Sequence, residues 1–169
     1  HATIPVINAL SDMEHPCQAL GDLLTIYEKK GKLGGLTIAF IGDGNNVASS
    51  LLLAASLMGI NFSIASPQGY ELREETLNRA QDFASHSGAK ISFTREPSSA
   101  VRGADVVYAD VWVSMGNENE AEHRRLAFTN YQVDTKLLAL AQTDAIFMHP
   151  LPAHHGEEVA IGILEHPQS

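Results

Sequence analysis

Five short apolar runs, each separated from the next by a segment of helical character, limit this chain to very few folds. They are Leu36–Ile41 (LTIAFI), Ile60–Ala65, Lys90–Thr94, Asp105–Tyr108 and Ala145–Met148. The first is continuous and partly β-branched, the pattern of a strand covered on both faces, as in a parallel sheet. Helices are predicted over 19–27, 47–58, 71–87, 98–102 and 136–141, with Gly59 and Gly88 as stop signals. A further charged helix over 118–127 is expected to have a solvated face. Strands alternating with helices predict an α/β fold: a doubly wound, Rossmann-like parallel sheet of about five strands, with helices on both faces. An apolar run at Thr3–Ala9 predicts one more, incoming strand.

The 169 residues suit one domain with a proper core, and 44% hydrophobic with 18% charged residues is the composition of a globular protein. A net charge of -9 argues against nucleic-acid binding, which needs a basic stripe, so any anion site must be local. No apolar run approaches the ~20 residues of a membrane span, so no membrane partner is expected. Cys17 has no second cysteine to pair with, which fits a reducing cytoplasm. The chain starts at His1 in mid-pattern and is expected to be a piece of a longer protein.

In an open α/β sheet, ligands bind in the crevice outside the carboxyl ends of the strands. Polar clusters occur at these junctions. Gly42-Asp43-Gly44-Asn45-Asn46 follows the first strand. Its Gly-x-Gly invites a dinucleotide reading, but Val47 stands where a third glycine belongs, and no acidic residue ends the second strand. No nicotinamide cofactor is therefore expected. A tight turn needing positive φ accounts for Gly42 and Gly44. The Asn45 and Asn46 amides are left to grip an amino-acid carboxylate at a helix N-terminus. Asp110, at the end of the fourth strand, is either a turn cap or an anchor for a substrate ammonium, with Ser114, Met115 and Gly116 just beyond. His15 and Gln18 share a helix face and suit a small planar amide, although an ordinary helix start is the simpler reading of that pair. His149-Pro150-Leu151-Pro152 forms a rigid extended loop that presents carbonyl oxygens, with a cis bond possible before Pro152. With His154 and His155 it raises a metal reading, but no carboxylate or thiol completes a convincing spacing, and no metal is expected.

Taken in order, HPCQ (15–18), GDGNN (42–46), DVWVSMG (110–116) and HPLPAHHGEE (149–158) resemble the amino-acid-binding half of the aspartate/ornithine carbamoyltransferase family. ASPQGYE at 65–71 and YQVDTKLL at 131–138 add to the likeness, which covers almost the whole chain. The D-x-x-x-S-M-G stretch is similar to that of the ornithine members.

The resemblance implies transfer of a carbamoyl group from carbamoyl phosphate to the δ-amine of L-ornithine, giving citrulline and phosphate without a cofactor. It implies catalytic roles for His15, Gln18 and His149. Asn46, Asp110, Ser114, Met115, Pro150 and Leu151 would bind substrate. The Asp110 carboxylate would fix the α-ammonium, Asn46 the carboxylate, and the 149–152 loop would offer carbonyls to the carbamoyl NH2. A homotrimer and a place in arginine biosynthesis are also implied. Residues 1–169 are expected to form a single ornithine-binding domain. The carbamoyl-phosphate domain and the C-terminal segment would be absent, and the piece alone inactive. Ornithine members read His-Cys-Leu-Pro at the last loop, whereas this chain has Pro150 for the Cys. Aspartate members read His-Pro-Leu-Pro followed by Arg, where this chain has Ala153. Putrescine, acetylornithine or aspartate as acceptor, or a non-catalytic amino-acid-binding module, are the alternatives.

Overall fold

A strand sends successive side chains to opposite faces, so LTIAFI needs cover on both. In the computed structural model, which describes residues 3–114, 116 and 118–169, it has that cover. On β1 (Thr37–Ile41), Ile38 and Phe40 pack on one side with Leu51, Leu52 and Phe62. Ala39 and Ile41 pack on the other with Val107, Phe147 and Val159. The first core is floored by aromatic rings: Phe40 stacks on Tyr108 at 5.5 Å and on Phe62 at 6.3 Å between centroids.

The remaining strands are β2 (Asn61–Ala65), β3 (Ile91–Thr94), β4 (Val106–Ala109) and β5 (Ile146–Met148). They form one parallel sheet in the order β3-β2-β1-β4-β5, with Ile41 opposite Ala65 on one side and Ala109 on the other. The helices α1 (Pro16–Lys30), α2 (Asn46–Leu57) and α3 (Glu74–Ser87) lie on the Phe40 side. On the other lie α4 (Pro97–Val101) and α6 (Thr135–Leu138). From β1 the chain winds outward through β2 to β3, then returns through α4 to β4 on the opposite side of β1. The carboxyl ends of β1 and β4 thus flank the switch point, where such sheets bind ligands.

Each of the five predicted strands and the helices between them is present, shifted by a few residues at most. The parallel α/β reading is borne out. One expectation is not. Thr3–Ala9 forms no strand, and Ile4, Val6 and Ile7 are 72%, 75% and 83% exposed. A strand exists through its ladder, and residues 3–9 pair with no neighbour. The charged stretch at 118–127 forms a 3-10 turn (Glu118–Glu120) followed by α5 (Ala121–Ala127); it has the expected solvated face, with Glu122, His123 and Arg125 exposed, and buries Arg124 on the inner one.

The turn after β1 corrects a reason rather than a residue. Gly42 does sit at φ 141, in the region that favours glycine. Gly44 does not have positive φ. Its N–H donates to the Tyr70 carbonyl at 2.8 Å, and a Cβ there would overlap the backbone of Glu71 and Leu72. Close approach of two backbones, not φ, requires that glycine.

Candidate active site

The loops after β1 and β4 meet through side chains. Asn45 caps α2, its Oδ1 accepting from the Ala48 N–H at 3.1 Å. Its Nδ2 then donates to Asp110 Oδ2 at 2.7 Å. Asp110 Oδ1 accepts from the Val111 N–H at 2.8 Å. Asp110 is only 7% exposed, and burial pushes its carboxyl above the usual range. The Asn45 and Val111 hydrogen bonds and the nearby His149 ring oppose that rise. Below this contact, Asp43 pairs with Arg124 Nη1 at 2.7 Å, and the same nitrogen donates to the Trp112 carbonyl at 3.0 Å. The guanidinium also lies 4.9 Å over the Tyr70 ring. Asp43 is likewise pushed up by burial, against the pull of Arg124. Arg124 thus ties the two loops to α5.

Across from these loops, α1 presents a second group of polar residues. His15 is its N-cap, Pro16 fills the first turn without losing a hydrogen bond, and the His15 N–H donates to Ser50 Oγ of α2 at 2.8 Å. The His15 Nδ1 is buried with no hydrogen-bond partner among the described residues. One turn on, Gln18 Nε2 donates to Asp22 Oδ1 at 2.9 Å, and Tyr108 Oη donates to Asp22 Oδ2 at 2.8 Å. Asp22 is 5% exposed, and its carboxyl is pushed up mainly by burial.

The last loop faces α1. A cavity of about 520 Å3 is lined by Gln18 and Asp22 on one side and by Met148, His149 and Leu151 on the other. Leu151 has φ 57, a conformation rare for a branched side chain, and the bond to Pro152 is cis. The Leu151 N–H donates to His149 Nδ1 at 2.9 Å. The His149 side chain is 1% exposed and its Nε2 lies 3.2 Å from Glu158 Oε1, off the line a hydrogen bond requires. The two side chains are therefore in close approach without a hydrogen bond. Glu158 is fully buried, and its Oε1 accepts from the His154 N–H at 2.6 Å.

Known proteins are similar to this chain in sequence and share this fold. Residues 34–169 match the model of the aspartate/ornithine carbamoyltransferase Asp/Orn binding domain. The chain belongs to the aspartate/ornithine carbamoyltransferase family.

Residues 1–28 match the model of that family's carbamoyl-P binding domain. The ornithine carbamoyltransferase of Acidothermus cellulolyticus is 52% identical over 169 residues, covering 100% of this chain and 54% of its own. That of Hyperthermus butylicus is 54% identical, again over 100% of this chain and 54% of its own. The solved ornithine carbamoyltransferase of Pyrococcus furiosus superposes with a TM-score of 0.94 at 48% identity, over 99% of this chain and 53% of that one. The chain therefore spans about half the length of the curated relatives it matches.

The expected carbamoyltransferase residues fall into neighbouring groups. Gln18, His149 and Leu151 line the one cavity, and His15 heads the helix that carries Gln18. Asp110 sits at the switch point, and Ser114 is half-buried beyond it. Pro150 is half-buried in the last loop. Met115 lies outside the described residues. Asn46 is turned away from Asp110: its Nδ2 donates to the Ser11 carbonyl at 2.8 Å, and it is Asn45 that reaches the carboxylate.

Residue-by-residue reading left out Asp22 and Arg124. Asp22 carries a usable signal, since a carboxylate four residues after Gln18 shares its helix face. Arg124 carries none, because nothing in its charged helix distinguishes it from its neighbours. The carboxylates missing from the metal reading are also present: His154, Glu157 and Glu158 have donor atoms within 4.8 Å of one another. Arg125 holds Glu157 Oε1 at 2.9 Å and Glu158 Oε1 faces His154 N–H and His149, while the Oε2 atoms of both glutamates are buried with no hydrogen-bond partner among the described residues.

Proposed function

We propose that this chain supplies the amino-acid half of an ornithine carbamoyltransferase. In the whole protein the δ-amine of L-ornithine attacks the carbamoyl carbon of carbamoyl phosphate, phosphate leaves, and L-citrulline forms. The observation that carries this reading is the junction at the switch point. There a buried carboxylate, Asp110, holds two neutral donors beside the His149 ring, and among the described residues no lysine or arginine pairs with it. An α-ammonium group is the partner such a buried anion requires.

The chemistry asks for positioning rather than a covalent intermediate. Asp110 anchors the amino acid, with Ser114 beyond it; the resemblance assigns Met115 and Asn46 to the same ligand, and Asn46 would have to leave the Ser11 carbonyl to reach it. His15 donates to the carbamoyl oxygen as negative charge develops there, and Gln18 receives the carbamoyl NH2. The loop at 149–152 offers its carbonyls to the same NH2. His149 contributes by fixing that loop through Leu151 and Glu158 rather than by touching substrate. The phosphate requires cationic groups from the rest of the protein. The N-terminal match to the carbamoyl-P binding model supports a site shared between two halves. So does an exposed apolar stripe on α1, where Leu20, Leu24 and Tyr27 are 65%, 58% and 53% exposed. In this reading the 34–169 unit binds ornithine, and α1 is the seam with the other half.

A cytoplasmic homotrimer acting in arginine biosynthesis is the setting that goes with this activity. Among the described residues no helix is long and apolar enough to cross a membrane. The test is citrulline formation from carbamoyl phosphate and L-ornithine. The whole protein is expected to turn over and the 169-residue chain alone to show none. Turnover by the chain alone contradicts the two-half site. Pro150 favours a second reading, in which putrescine, acetylornithine or aspartate replaces ornithine. A panel of these acceptors on the whole protein separates the two, with L-ornithine expected to be preferred.

A further inference from the structure

We propose that Asp22 is a positioning residue that sets which end of the Gln18 amide faces the cavity, and thereby selects a ligand bearing an N–H donor. This rests on the carbamoyl-transfer reading above and deepens it. A primary amide is ambiguous: one end donates and the other accepts. A carboxylate resolves the ambiguity because it only accepts. Asp22 Oδ1 takes the Gln18 Nε2–H at 2.9 Å, which leaves Oε1 as the end available to the cavity that Gln18 lines. The carboxylate is itself fixed, because its other oxygen takes the Tyr108 hydroxyl at 2.8 Å from the middle of β4. Tyr108 is fully buried and stacked on Phe40. Orientation is thus relayed from the sheet through Tyr108 and Asp22 to Gln18.

A purely structural role for Asp22 fits less well. A single tyrosine hydroxyl is satisfied by any neutral acceptor, whereas a buried carboxylate is costly to keep. Here it also lies one helical turn from Gln18, on the face that lines the cavity. With Oε1 presented, the site rewards an NH2 on the ligand and gains nothing from a methyl in its place. Asp22→Asn removes the constraint, since an asparagine amide can present either end to Gln18.

The test uses the whole protein and two ligands that differ only at this group, carbamoyl phosphate and acetyl phosphate. Asp22→Asn is expected to raise KM for carbamoyl phosphate on the order of tenfold. Inhibition by acetyl phosphate, whose methyl cannot donate, is expected to change by less than about twofold. In a Gln18→Ala background, Asp22→Asn is expected to add no further rise in KM, because the two residues act as one unit. Equal weakening of both ligands, weakening of neither, or full additivity with Gln18→Ala overturns the inference. Should Asp22→Asn not fold, Tyr108→Phe frees one oxygen of Asp22 and is expected to give the same ligand selectivity at smaller amplitude; equal loss of both ligands there also overturns it. A wild-type protein that forms no citrulline overturns the functional reading instead, so the two failures are distinguishable.

Discussion

Asp110 shows how one residue couples burial to ligand choice. Its carboxyl is pushed up by burial, and the two neutral donors on it offset that only in part. An ammonium ligand needs the ionised form. As pH falls through the raised value, the carboxyl takes up a proton and loses its hold on a cation. L-Ornithine affinity of the whole protein is therefore expected to fall as pH is lowered from neutral. Asp110→Asn should remove that arm of the profile and weaken binding at neutral pH by about tenfold or more. Titration calorimetry across pH checks both, and an unchanged profile in Asp110→Asn contradicts the assignment. At this scale the sequence was legible for position, since Asp110 does stand at the carboxyl end of β4, whereas the residue types of His15 and Gln18 alone read as an ordinary helix start. It was not legible where a neighbour decides the matter. Asn45 and Asn46 are adjacent amides, and only the α2 cap geometry turns Asn45 to Asp110 and Asn46 to Ser11.

Among the elements, β1 bears most of the fold. Its alternation puts Phe40 between Phe62 and Tyr108, and the last of these also holds Asp22. Phe40→Ala opens a cavity in a fully buried layer and is expected to cost about 3–5 kcal/mol in urea unfolding. A loss near zero would mean that the ring is not part of a close-packed core. Strands buried on both faces announce themselves as continuous apolar runs, as LTIAFI does for β1, whereas β3, with Ser92 and Phe93 exposed, was readable from its place between the Gly88 stop and the next helix. Thr3–Ala9 has a similar composition but no strand beside it, and composition alone does not supply a partner. The burial of Arg124 in its otherwise solvated helix was not readable for the converse reason: it depends on Asp43 and Trp112, which lie outside that helix.

For the molecule as a whole, three buried carboxylates, Asp22, Asp43 and Asp110, have values raised by burial. A raised carboxyl binds its proton more tightly folded than unfolded, so it favours the folded state more as pH falls from neutral towards the ordinary carboxylate range. Asp144, lowered by Lys30, works in the opposite direction but is fully exposed and screened. Thermal stability is expected to rise as pH is lowered from neutral, and Asp110→Asn should flatten the slope. A midpoint that falls over the same range contradicts the burial argument. The same three carboxylates converge on the region between α1 and the carboxyl ends of β1 and β4. In the function proposed above, this region is half of a carbamoyl-transfer site. Its most direct test is the steady-state rate of citrulline formation by the whole protein with and without Asp110→Asn. The account predicts at least a hundredfold loss, on the order expected for removing a buried ionic anchor, in kcat/KM for L-ornithine, with KM for carbamoyl phosphate little changed. Full turnover by the Asp110→Asn protein would contradict it.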